Sequence, residues 1–230
     1  MSKRDGGNHD NEIEHRKTLT KIFYIGKYEV TNEQWCAVMK VESPPSKNKG
    51  AKYPVENISW YEAMKFCEKL NQYAPPGWKF TLPTETQWEF AARGGNKSRG
   101  YKYSGSNNLN KVGWYAGNSG YSTHIVGRKL ANELGIHDMS GNVWELCLDD
   151  WKAQTNNTRA EFSRLYGDKD GLKRVHRGGS WYDSDRKCRS ASRDCRGPGR
   201  RYDTLGFRLV LVPVNSEAEK IYRKGPRYCQ

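Results

Sequence analysis

No stretch of the 230 residues approaches the ~18–20 consecutive apolar residues that a membrane-spanning helix needs. Hydrophobic residues are scarce at 35%, and the mean hydropathy of −0.97 argues against a large aliphatic core. The six cysteines stand at 36, 67, 147, 188, 195 and 229 with no CxxC pair, which speaks against a zinc ribbon or a thioredoxin-type site. Their spacing does not describe a small disulfide scaffold either, so buried free thiols and disulfides both stay open. Histidine is rare. His9, His15, His124, His137 and His176 show no metal-ligand spacing. The polar segment Met1 to Arg16 reads as no signal peptide. This leaves the compartment open: cell surface or secreted after loss of a leader, otherwise cytoplasmic.

Aromatics, glycine and positive charge are abundant. Eight Trp and 14 Tyr exceed what disordered chains carry, and 23 Gly imply many loops. The sequence therefore reads as a folded domain whose core leans on aromatics. The formal charge of +13 raises the question of a polyanionic partner. The Lys and Arg residues are spread along the chain, however, and no nucleic-acid motif accompanies them, so no specific nucleic-acid partner is expected.

Three helix starts share one local device. Thr31 with Gln34, Ser59 with Glu62 and Thr84 with Gln87 have the capping-box spacing, in which each side chain satisfies the other residue's orphan amide. This predicts helices over 32–40, 60–72 and 85–93. In the second, Ala63, Phe66, Cys67 and Leu70 mark one apolar face. Gly94-Gly95 ends the third. Strands are expected within 21–30, 174–181 and 206–213, with a loop-rich stretch from 96 to 170. One domain over 20–213 follows, preceded by an arm (1–19) and followed by a polar tail (214–230).

Five segments, "KYEVTNEQW", "PVENISWYEAMKFCEKLN", "TLPTETQWEFAARGG", "GIHDMSGNVWELCLDDW" and "RVHRGGSW…GFRLV", occur in that order. Together they resemble the formylglycine-generating-enzyme-like family over roughly residues 21–213. The resemblance implies an α+β, C-type-lectin-like single domain with few short helices, short strands and much irregular loop. It also implies that the usual first strand of such domains lies upstream of Met1. The family's oxidases hold copper with two cysteines; the second matches Cys188, while the first falls at Asp183. A hard carboxylate is a poor Cu(I) ligand, so no copper is expected and the chain reads more as a non-enzyme than as an enzyme. The sulfoxide synthases of the family need a histidine cluster that this chain lacks.

The sequence is more similar to another branch, the variable proteins of diversity-generating retroelements, in which adenine-directed mutagenesis rewrites a C-terminal region. The variable codons of that branch cannot encode Glu, Lys, Met, Gln or Trp. Those types are common elsewhere in this chain, yet between Arg174 and Arg208 only Trp181 and Lys187 occur. The resemblance implies a variable region over 174–208. Its solvent-facing contact residues would be His176, Tyr182, Asp183, Ser184, Ser192, Asp194, Cys195, Gly197, Gly199, Tyr202, Asp203 and Thr204. Glycines, Trp181 and Phe207 would hold the frame between them. Tyr with Ser, Gly and Asp is a paratope-like mixture. The expected partner is a protein or cell-surface ligand bound by this face. Two alternatives stand beside it: a copper oxidase or other oxidoreductase of the same fold, and a binding domain of fixed specificity.

"DMSGNVWE" resembles the family's calcium-binding segment. The implied ligands are the Asp138 and Glu145 side chains with the Gly141 and Val143 carbonyls, an oxygen set suited to a structural calcium ion.

Overall fold

Each of the three capping boxes closes in the computed structural model, which describes residues 21–151 and 172–214 together with Glu12 and Leu19. Thr31, Ser59 and Thr84 accept the amide three residues on, and Gln34, Glu62 and Gln87 reach back to the cap. The resulting helices are α1 (Asn32–Met39), α2 (Trp60–Leu70) and α3 (Glu85–Ala92). α2 buries Ala63, Phe66 and Cys67, the stripe its spacing predicts. α3 stops at Arg93, and Gly94 and Gly95 follow with φ of +84° and +54°, a region glycine enters without a Cβ penalty.

Two sheets complete the domain. Strands β1 (Tyr24–Ile25), β2 (Trp78–Thr81) and β7 (Val210–Pro213) form one in the order β1-β7-β2, antiparallel throughout. The other has the order β5-β4-β3-β6: β3 (Trp144–Asp150), β4 (Arg174–Arg177), β5 (Arg193–Arg196) and β6 (Leu205–Gly206). Here β3 pairs antiparallel with β4 and parallel with β6. A short helix α4 (Leu109–Val112) lies in the loop-rich stretch.

Several strand expectations need correction. Only Tyr24–Ile25 of 21–30 is strand, and 174–181 is strand only to Arg177, where Gly178 and Gly179 turn the chain at φ of +97° and +72°. The run 206–213 is divided between the two sheets, because Phe207 and Arg208 turn into the core between β6 and β7. Strand β3 lies in the stretch expected to be irregular. The segment 152–171, the tail beyond Val214 and most of the arm lie outside the described residues.

The core is aromatic. Trp35 stacks on Phe66 at 5.6 Å between centroids, and Phe207 meets Phe66 edge-on at 5.3 Å. Val30, Val55, Ile58, Leu82, Leu146 and Leu205 pack around them. A second cluster gathers Trp88, Ile136, Met139, Cys147 and Val175. Four arginines are also buried, each with a carboxylate: Arg177 with Glu85 and Glu89, Arg189 with Glu12, Arg193 with Glu85, and Arg208 with Glu145. Pairing is what makes such burial tolerable. Among the described residues Cys36, Cys67, Cys147, Cys188 and Cys195 are free thiols. The Glu12 contact ties a point of the arm onto the domain.

Candidate ligand-binding face

The face begins where β4 ends. A side chain at Gly179 would place its Cβ 2.7 Å from Cys188 Sγ, so only glycine lets the two segments approach here. Ser180, fully buried, anchors the next turn. Its hydroxyl donates to Asp183 Oδ2, which also accepts Trp144 Nε1 at 2.8 Å, while the Asp183 carbonyl accepts the Ala116 amide at 3.0 Å. Trp181 donates its amide to Asn142 O at 2.8 Å and its indole N–H to Asp203 O at 3.0 Å. That second bond clamps the two ends of the expected contact region together. Asn57 fixes the far end by donating its amide to Tyr202 O at 2.8 Å.

On this frame Tyr182 and Tyr202 are 64% and 41% exposed, and Ser184 and Gly199 face solvent. Asp194, Asp203 and Thr204 are half-buried. Lys47 pairs with Asp203, and Arg196 lies 5.9 Å from the Tyr202 ring centroid. Asp183 is also half-buried, and its carboxylate is committed inward to Trp144 and Ser180, which makes it a brace.

Four expected contact residues are buried and do not present side chains to a ligand. His176 lies on β4 and meets Trp144 edge-on at 4.8 Å; burial pushes its pKa down to about 4. Cys195 faces inward from β5, opposite Val175. Ser192 and Gly197 are likewise enclosed. In β5 the pairing with β4 turns Arg193 and Cys195 into the core and leaves Asp194 and Arg196 half-buried. Trp181 itself is half-buried and forms a wall of the face, not a core anchor.

The calcium set is not assembled as expected. Both Glu145 oxygens are taken by Arg208, with Nε and Nη2 donating at 2.6 Å each, and Trp88 Nε1 donates to Oε2 at 2.6 Å. A cation using Glu145 would have to displace a buried guanidinium, so the donors present do not fit calcium as the resemblance implies. Asp138 Oδ2 accepts the Gly127 amide at 2.6 Å, and its Oδ1 has no hydrogen-bond partner among the described residues. Gly141 donates its amide to Gly178 O at 2.8 Å, and Val143 donates its own to Glu29 Oε1 at 3.2 Å. Burial first, then Asp138 and Glu145, push Glu29 well above the usual carboxylate range. Burial likewise pushes Asp138 up to about 6. Among the described residues no three His, Cys, Asp or Glu side chains are grouped to hold a metal ion.

A family model described as the sulfatase-modifying factor enzyme 1-like domain matches residues 2–212. The chain belongs to that family. The chaperone protein LppX of Paenibacillus barcinonensis is 36% identical over 210 residues, 70% of each chain. The formylglycine-generating enzyme of Thermomonospora curvata is 31% identical over 181 residues, 70% of this chain and 56% of that enzyme. Among solved structures, Treponema denticola variable protein 1 superposes with a TM-score of 0.70 at 34% identity, covering 83% of this chain and 84% of that one. The α+β, C-type-lectin-like class is thus the fold of this domain.

Within this sulfatase-modifying-factor-type domain, the residual cysteine is poorly placed for copper chemistry. Cys188 is fully buried, and its thiol points to Ser180 O at 4.0 Å. Burial, followed by the Asp183 and Asp185 carboxylates, pushes the thiol well above its ordinary range. A single buried thiol beside a carboxylate already committed to Trp144 and Ser180 is not the pair of soft donors that a Cu(I) ion takes.

Proposed function

We propose that this domain is a ligand-binding module that displays a variable face, Tyr182 to Thr204, on a fixed C-type-lectin-like frame, and that its partner is a protein or cell-surface ligand. One observation carries the reading: Tyr182 and Tyr202 stand exposed on segments whose backbones are pinned by buried Ser180, by Trp181 and by Asn57. Rigid aromatic contacts on a preorganised loop lose little entropy on binding. The residue types missing between Arg174 and Arg208 support adenine-directed diversification, as does the likeness to a solved structure named a variable protein.

Exposure supports an exchangeable set of Tyr182, Ser184, Asp194, Gly199, Tyr202, Asp203 and Thr204. Asp183 serves the frame. The oxidase reading finds no support in the Cys188 surroundings, and copper titration with oxygen-uptake measurement would revive it only if Cu(I) bound at Cys188. The diversification reading is tested in the source genome. A near-copy of the segment encoding 174–208, differing at adenines and lying beside a reverse transcriptase, is expected; a complete genome without one overturns it.

A further inference from the structure

Beside the face lies a cavity of about 340 Å³ whose lining includes Lys47, Glu56, Tyr121, Trp181 and Asp203. Trp181 and Asp203 belong to the segment between Arg174 and Arg208, whereas Lys47, Glu56 and Tyr121 do not, so most of this cavity is independent of what the variable codons encode. It adjoins the exposed tyrosines, since Tyr182 meets Trp181 edge-on at 5.4 Å and Tyr202 precedes Asp203.

Glu56 is the group that requires explanation. It is 1% exposed, and its Oε1 accepts the amides of Lys47 and Asn48. Its Oε2 is buried and has no hydrogen-bond partner among the described residues. A buried carboxylate oxygen without a donor is costly, more so when charged. The nearby ammonium groups are engaged elsewhere: Lys47 with Asp203, and Lys49 with the Pro44 carbonyl. A donor from outside would satisfy Oε2.

The other walls select the donor's type. Tyr121 is 72% exposed, and Trp181 is half-buried. One hydroxyl links them: Ser119 Oγ donates to Trp181 O at 2.7 Å and accepts the Tyr121 amide at 3.2 Å. Two aromatic rings beside one buried carboxylate oxygen without a donor match a cation on an aliphatic stem: the rings take the stem and the cation's field, and Glu56 Oε2 takes one of its N–H groups. We propose that this cavity is a specificity subsite for a basic side chain, lysine or arginine, of the bound protein, with Glu56 Oε2 accepting from its ammonium or guanidinium group. The proposal rests on the face reading above and adds a constant chemical requirement to a variable surface.

The probes are N-acetyl-lysine methylamide and N-acetyl-arginine methylamide, titrated into the full chain in mildly alkaline buffer. Neutral N-acetyl-norleucine methylamide and anionic N-acetyl-glutamate methylamide serve as controls. The readout is the Trp181 indole N–H resonance, assigned from a Trp181→Phe spectrum. Saturable shifts with one or both basic amides are expected, with none from the two controls. Glu56→Gln keeps the Oε1 acceptor for the two backbone amides and so keeps the fold. It should weaken the basic amides about tenfold or more, the cost of losing one charge-assisted hydrogen bond. The proposal is overturned by the absence of a saturable shift, by equal shifts from norleucine or glutamate, or by unchanged affinity in Glu56→Gln. The titration uses no natural ligand, so its failure leaves the face reading standing, whereas a missing genomic template overturns diversification and leaves this subsite untouched.

Discussion

Trp144 donates its indole N–H to Asp183 Oδ2 at 2.8 Å, joining strand β3 to the loop that presents Tyr182. In the family's oxidases the corresponding position holds a copper-binding cysteine, as the sequence resemblance implies. Here it holds a carboxylate that also takes the buried Ser180 hydroxyl. The carboxylate braces the loop. Asp183→Ala should therefore destabilise the domain by about 1–3 kcal/mol, because two donors lose their acceptor. Asp183→Asn, which keeps one carbonyl oxygen, should cost less. Urea denaturation of the two variants measures the difference, and equal stability of Asp183→Ala and the parent would refute the brace.

The aromatic residues of the face divide by burial. Tyr182→Ala and Tyr202→Ala remove exposed rings and should change stability by no more than about 0.5 kcal/mol, the usual range for surface positions. Trp88→Ala removes a fully buried indole together with its hydrogen bond to Glu145, and should cost about 3–5 kcal/mol. Trp181→Ala should fall between, since that ring is half-buried and its indole N–H serves one backbone carbonyl. Thermal or urea unfolding ranks the four. If Tyr182→Ala unfolds as readily as Trp88→Ala, the loop is held by the tyrosine and the face assignment fails.

What the sequence disclosed was local. A capping box is complete within four residues, so α1, α2 and α3 could be placed from Thr31, Ser59 and Thr84 alone. Strand β5 was hidden because its residues, Arg193 to Arg196, are mostly charged, and their burial depends on a carboxylate on α3: Arg193 bonds Glu85 in two hydrogen bonds of 2.6 Å. No window of sequence contains both partners. The same remoteness concealed the inward side of β5, so Cys195 read as surface. The Glu56 cavity was equally illegible, being assembled from Lys47, Tyr121 and Asp203 across more than half the chain.

Among the described residues, Arg208 is the one guanidinium bonded to Glu145, within a group that also includes Glu29 and Asp138. Arg208→Met would leave Glu145 without its bidentate partner and should destabilise by about 3–5 kcal/mol, the usual cost of orphaning a buried charge. The double variant Arg208→Met, Glu145→Gln should recover part of that loss, and a double-mutant cycle on unfolding free energies isolates the coupling. Complete additivity of the two changes would show that the pair is not coupled.

Glu56 also sets a pH dependence whose sign follows from its surroundings. Burial raises its pKa from the ordinary 4.5 to about 7; the Lys47 and Asn48 amides and the Lys47 charge oppose the rise, and Asp203 adds to it. A carboxyl with a raised pKa in the folded state binds its proton more tightly there than in the unfolded chain. Its stabilising contribution is then fully present below pH 4.5 and is lost as pH rises through about 7. Glu56→Gln mimics the protonated acid at every pH. It should match the parent at about pH 4 and exceed it by about 3 kcal/mol at about pH 8, as read from urea unfolding at both values. An equal offset at the two pH values would mean that Glu56 titrates normally, and that its Oε2 already finds a donor in solution.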